Sequence, residues 1–170
     1  MNNGKLYVIE GSDGSGKGTQ FSLLADSLRA RGLEVVSYDF PRYEKASSYF
    51  IQQYLNGEYG GSNDVSARAA SYFYALDRFD AAKDIRSDLA AGKTVLCNRY
   101  TASNLAHQGQ KIDNTKERKA YYKWLIELEF EELGIPKPDK NIVLLVPANV
   151  AQTLVDQKAE RSYARGKKRD

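Results

Sequence analysis

The sequence has a single cysteine, Cys97, set inside an apolar run. That excludes an intrachain disulfide framework and any zinc site built on cysteines, and a lone thiol suits a reducing compartment. The single histidine, His107, makes no metal site by itself. No apolar stretch approaches the roughly 20 residues that span a bilayer, and the opening Met1-Asn2-Asn3-Gly4-Lys5 has no apolar segment of signal-peptide type. No membrane partner is expected. Charge of one sign is also scarce: 25 basic residues against 22 acidic leave +3, too small an excess for a general nucleic-acid binder. Repeats and low-complexity tracts are missing as well.

What is present fits one compact domain, 1–170, long enough to bury a core without disulfide or metal staples. The charge is unevenly spread. The last thirteen residues, 158–170, hold six basic side chains and two acids, so the rest of the chain falls one short of neutral. Tyrosine is abundant, 12 residues against 6 Phe and 1 Trp, and reads as half-buried packing unless position says otherwise.

Short apolar runs alternate with helical patterns. Strands are predicted at 5–10, 34–38, 94–98 and 141–146. A helix at 16–31 carries Phe21, Leu24, Ala25 and Leu28 on one stripe and stops at Gly32. A shorter helix at 46–55 precedes a loop at 56–64. Ser66 caps a long helix to about Ala91, stopped by Gly92. Another helix spans 116–133 and stops at Gly134. Asn149, with Gln152 three residues on, is placed to cap a last helix. Strands separated by helices argue for an α/β fold with a parallel sheet covered on both faces. Ligands of such sheets bind beyond the carboxyl ends of the strands, which directs attention to the residues after Glu10, Tyr38, Asn98 and Val146.

After the first strand comes Gly11-Ser12-Asp13-Gly14-Ser15-Gly16-Lys17, which opens a helix. This is the G-x-x-x-x-G-K phosphate loop in its required strand–helix context. Its glycines let backbone N–H groups converge on phosphate oxygens, and the helix N-terminus adds positive potential. Lys17 reaches the outer phosphates as a point charge. Gly11, Gly14, Ser15, Gly16, Lys17, Gly18 and Thr19 are the expected ATP-phosphate cradle; Gly18 stands where Ser or Thr is usual, and Thr19 follows. The second strand leads to Phe40-Pro41-Arg42-Tyr43, where Arg42 can hold a second phosphate by a bidentate fork. Tyr74 and Arg78, four apart, share a helix face, an aromatic ring and a guanidinium that suit stacking on a base and bonding its edge. After the third strand, 98–104 and His107-Gln108-Gly109 bring several hydrogen-bonding side chains to the same sheet edge.

The pieces I-E-G-S-D-G-S-G-K-G-T-Q (9–20), D-F-P-R-Y (39–43), Y-A-L-D-R (74–78) and N-R-Y-T-A-S-N (98–104) with its downstream H-Q-G stand in the order and spacing of the thymidylate kinases. The chain resembles that family over about 5–165. The resemblance implies a three-layer P-loop NTPase fold, ATP and Mg²⁺ as cofactors, and dTMP as phosphate acceptor. It further implies a cytoplasmic homodimer, with the 16–31 and 66–91 helices as candidates for its interface. It assigns Asp13 to the acceptor's 3′-hydroxyl, Arg42, with Phe40 beside it, to the acceptor phosphate, Tyr74 to stacking on thymine and Arg78 to a base carbonyl. Arg99 is assigned to phosphate, Asn104 and Gln108 to the base or to closure over it, and Ser103 to dTMP binding. His107 stands where the family often has tyrosine.

Two departures from the family pattern stand out. An Asp usually precedes the strand-three arginine and belongs to the Mg²⁺–water network; here the residue is Asn98, which with Thr19 is left to meet the metal through water. Family members also run on past the lid, so the resemblance implies a chain with its C-terminal part truncated, inside or just after a lid at about 158–170. Because Gly14 and Ser15 put no cation in the phosphate loop, the lid's Arg161 and Arg165 are expected to supply it, beside Lys17 and Arg99. Three functions remain open on the sequence: dTMP kinase, another nucleoside monophosphate or deoxynucleoside kinase, and a nucleotide-binding protein with little or no turnover, toward which Asn98 points.

Overall fold

The structure is a computed structural model that describes residues 4–164, with side chains to 156. Strands β1 (Lys5–Gly11), β2 (Val35–Asp39), β3 (Thr94–Asn98) and β4 (Lys140–Leu144) form one parallel sheet in the order β2-β3-β1-β4. The described helices are α1 (Lys17–Ala30), α2 (Tyr49–Leu55), α3 (Ala67–Ala90), α4 (Thr101–Gly109), α5 (Thr115–Glu127) and α6 (Ala148–Ala164). A 3₁₀ turn, Ala46–Ser48, leads into α2, and a π-helical turn, Leu128–Glu132, follows α5. None of the described helices is long and apolar enough to cross a membrane.

Strand alternation decides which layer each side chain joins, since successive side chains leave a strand on opposite faces. Leu6 and Val8 of β1, with Val95 and Cys97 of β3, pack on Ala81, Ala82 and Ile85 of α3. Tyr7, Ile9 and Leu96 point the other way, onto Phe21, Leu24 and Ala25 of α1. Helices therefore cover both faces, as the unbroken apolar strands required. The α3 contact is made largely with alanines, which lets that helix lie close to the sheet. A third cluster, Ala67, Tyr121, Leu125 and Leu128, joins α3 to α5.

Three elements differ from the sequence reading. The segment 116–133 is not one α-helix: α5 ends at Glu127, and the turn that follows is widened, with Leu133 N–H donating to the Leu128 carbonyl at 2.9 Å. Asn149 does not cap the last helix. The helix begins one residue earlier, and the Val150 and Ala151 N–H groups donate to the Pro147 carbonyl, 3.0 Å each, while Gln152 donates to Asp156 within the helix. Residues 101–109 form a helix, α4, that carries no cap of its own. Ser66 caps α3 as expected, accepting from the Ala69 N–H at 3.2 Å.

Ile85 sits with no exposure between α3 and the sheet. Ile85→Ala is expected to cost about 2–5 kcal/mol through lost burial and the cavity left behind. Urea denaturation checks this as a lower midpoint at unchanged slope.

Candidate functional site

The loop from Gly11 to Lys17 turns through two left-handed residues, Gly14 (φ 77°) and Gly16 (φ 80°), which a β-carbon would disfavour. At Gly14 there is no room either: a Cβ would stand 2.1 Å from the Ala151 carbonyl oxygen, so the loop touches α6 directly. The Ser15 hydroxyl is buried and unpartnered within the described residues. Lys17 is buried, its Nζ donates to the Ser12 carbonyl at 2.7 Å, and it lies 3.8 Å from an Asp13 oxygen. The loop is thus folded around its own lysine, with backbone N–H groups and a helix N-terminus at hand for phosphate.

Arg99 directly follows β3. Its backbone is left-handed (φ 63°), uncommon for a residue with a side chain and a frequent mark of functional sites. Its N–H donates to the Ile9 carbonyl at 2.9 Å. Its guanidinium donates to Asp13 at 2.5 Å and to the Ser103 hydroxyl at 3.2 Å, and stands 3.4 Å from His107 Nε2. Burial, and then the nearby Arg99 charge, hold His107 below the ordinary histidine pKa.

Asp13 and Arg99 border a cavity of about 720 Å³. Phe40, Tyr74, Arg78, Ser103, Asn104 and Gln108 line it too, so the structure gathers eight of the residues singled out in the sequence. Phe40 is buried against Tyr38 and edge-on to Tyr100. Burial raises the Tyr74 hydroxyl to about 12, so it stays neutral at physiological pH. The buried Asn104 and Gln108 each keep a side-chain oxygen with no partner among the described residues, acceptors that a ligand N–H or water would satisfy.

Arg42 stands apart. Its Nε donates to Asp77 at 3.1 Å, and its Nη2 donates to the Ser47 hydroxyl, the Asp77 carbonyl and the Asp80 carboxylate at 2.9, 2.8 and 2.6 Å. It borders a separate groove with Tyr38, Lys45 and Asp84, not the main cavity. Arg161 lies within α6, but its side chain, all of Arg165 and the rest of the 158–170 lid reading fall outside the described residues.

Several site residues escaped the sequence reading. Glu129 is fully buried and accepts from Arg78 Nε and Nη2 at 2.8 and 2.5 Å, the Thr101 hydroxyl at 2.7 Å and Asn104 Nδ2 at 3.1 Å. Burial opposes the Arg78 charge, and Glu129 outweighs it, so Arg78 stays cationic. A signal was there: Tyr121, Leu125 and Glu129 recur every four residues, placing an acid on the buried stripe. Glu10, also buried, accepts from the Tyr100 and Ser103 N–H groups at 2.9 and 3.2 Å and from the Ser103 hydroxyl at 2.5 Å. It provides from β1 the anion that the start of α4 lacks. Asp39, Tyr43, Tyr54 and Lys111 also line the cavity.

Among the described residues, no group of three or more His, Cys, Asp or Glu side chains forms a metal site. Oxygen donors suited to a hard dication bound chiefly through phosphates are nevertheless present. Asn98 Oδ1 is buried without a partner among the described residues, Asp39 lies across from Asn98 in the β2–β3 register, and Thr19 adds an exposed hydroxyl.

The family model described as thymidylate kinase matches residues 9–170. Thymidylate kinase of Mycobacterium tuberculosis (strain CDC 1551 / Oshkosh) is 34% identical over 163 residues, which cover 95% of this chain and 75% of the relative. That of Plasmodium falciparum (isolate 3D7) is 32% identical over 153 residues, 90% of this chain and 67% of the relative. The solved thymidylate kinase of Candida albicans superposes with a TM-score of 0.71 at 25% identity, over 88% of this chain and 66% of that one. Phosphate loop, strand-three arginine and lined cavity thus sit on a fold shared with the Candida albicans protein, and the chain belongs to the thymidylate kinase family, a family of ATP-dependent nucleoside monophosphate kinases.

Proposed function

We propose that the protein transfers the γ-phosphoryl group of ATP to dTMP, giving dTDP and ADP. One observation carries the reading: Asp13 of the phosphate loop and Arg99 of the acceptor cavity are joined by an ion pair of 2.5 Å. Donor and acceptor phosphates would meet where those residues meet. An oxygen of the dTMP phosphate forms the new P–O bond as the γ-phosphorus separates from the bridging oxygen of ADP. The acceptor is already anionic, so no general base is required, and the work is positioning and charge neutralisation.

In this reading the loop 11–19 holds the ATP phosphates, with Lys17 on the outer ones. Asp13 takes the sugar 3′-hydroxyl. Tyr74 stacks on the base, Arg78 donates to a base carbonyl, Asn104 Oδ1 accepts from the base N–H, and Gln108 closes over it. Arg99, with Ser103, holds the acceptor phosphate. Arg42 has Nε and Nη2 engaged by α3 and the Ser47 hydroxyl, so its part in binding phosphate falls to Nη1. Mg²⁺, met by Thr19 and Asn98 through water, would neutralise phosphate charge when bound. Arg161 and Arg165 bring the lid's cations to the transferring group. The proposal extends to a homodimer in the cytoplasm. The dimer is supported by Tyr72, Leu76 and Phe79, half-exposed along one face of α3, and the compartment by the single free thiol of Cys97.

A second reading, a nucleotide-binding protein with little or no turnover, is favoured by Asn98 at the position where the family usually has an acid. ADP release over dTMP, dUMP, dCMP, AMP and thymidine decides between them. Turnover fastest on dTMP is expected; bound ATP with no turnover on any acceptor would overturn the kinase reading. Arg161→Ala/Arg165→Ala is expected to lower kcat about a thousandfold while leaving dTMP affinity almost unchanged, measured by steady-state kinetics and acceptor titration. Glu129→Gln removes one charge of a buried pair and is expected to cost about 3–5 kcal/mol of stability. In whatever protein stays folded, it should raise the KM for dTMP more than it lowers kcat, because Arg78 loses its support.

A further inference from the structure

The end of β3 lacks the carboxylate that its position calls for, and the end of β2 supplies one. Asp39 and Asn98 are directly paired in the parallel register. Paired residues of a parallel register turn their side chains to the same face, so Asp39 stands beside Asn98 at the strand ends, with Arg99 the next residue along the chain. Asp39 also lines the cavity with Asp13 and Arg99. The neighbouring acids are otherwise engaged: Glu10 by the first turn of α4, Asp13 by Arg99. Glu44 bears on Asp39 from the turn beyond Tyr43 but does not line the cavity.

Asn98 Oδ1 is buried and has no partner among the described residues. An amide oxygen with a carboxylate beside it suits the protons of water already polarised by a dication, whose outer partners are side chains of this kind.

We propose that Asp39, beside Asn98, is the carboxylate that anchors the water shell of the cation bound with the nucleotide. It is a positioning residue: it supplies from β2 the negative charge that Asn98 leaves out of β3. The inference rests on the kinase reading for its nucleotide, but its test does not need the acceptor.

Mn²⁺ is titrated into the full chain with ATP and no dTMP, and bound Mn²⁺ is read by electron paramagnetic resonance. ATP binding in EDTA is measured in parallel. Asp39→Asn is expected to weaken Mn²⁺ binding with ATP about ten- to a hundredfold, while metal-free ATP binding does not weaken. Asn98→Asp added to Asp39→Asn is expected to restore the affinity, because the charge returns one strand over. A merely structural role for Asp39 would not predict that rescue. Asn98→Asp alone, which keeps Asp39, is expected to tighten Mn²⁺ binding and covers the case in which Asp39→Asn does not fold. Unchanged Mn²⁺ affinity in a folded Asp39→Asn variant overturns the inference, as does failure of the double variant to recover, or no tightening in Asn98→Asp. Turnover on dTMP with no metal effect overturns this inference alone. A metal effect without turnover on any acceptor overturns the kinase reading alone.

Discussion

The carboxylate of Glu129 organises the site. An acid with no exposure is tolerable only when its oxygens are fully engaged, and Glu129 meets that demand with three elements at once. Arg78 comes from α3, Thr101 and Asn104 come from α4, and Glu129 itself stands on the π-helical turn after α5. Loss of any partner would leave a buried charge short of hydrogen bonds, so the three are fixed relative to one another. The lining of the cavity follows: Arg78 and Asn104 belong both to this network and to the acceptor cavity.

Glu10 plays the matching part on the other side of α4. That helix starts at Thr101 with no capping side chain of its own, and Glu10 takes the Tyr100 and Ser103 N–H groups from β1. Two buried carboxylates thus hold the first turn of α4, where both the backbone N–H groups and the helix dipole favour negative charge. The same turn sets Ser103 beside Arg99, which the left-handed backbone at the end of β3 aims at Asp13. Phosphate loop and cavity are therefore joined through short side-chain connections.

Much of this was legible in the chain. The phosphate loop announced itself by spacing and context, and the parity of Leu6, Tyr7, Val8 and Ile9 already held the two-faced sheet. Tyr74 and Arg78 were recognisable as a pair because helical spacing is local. What was not legible depends on partners distant in sequence. The helix α4 has no local start signal, because its capping anion arrives from β1. Glu129 falls inside the helix expected at 116–133, because the widened turn at 128–132 has no local sequence mark, though its four-residue spacing from Leu125 and Tyr121 puts it on the buried stripe. Asp39 and Asn98 become neighbours only once β2 is known to lie beside β3. The bracing of Arg42 was not legible either, because Asp77 and Asp80 reach it from α3.

The central claim is that the Glu129 network builds the acceptor cavity for a pyrimidine nucleotide. A crystal structure with dTMP bound tests it most directly. The account predicts the base stacked on Tyr74 with a carbonyl oxygen at Arg78, the phosphate beside Arg99, and the Arg78–Glu129 pair intact. A nucleotide seated instead in the Arg42 groove, or one that breaks the Arg78–Glu129 pair to bind, would contradict it.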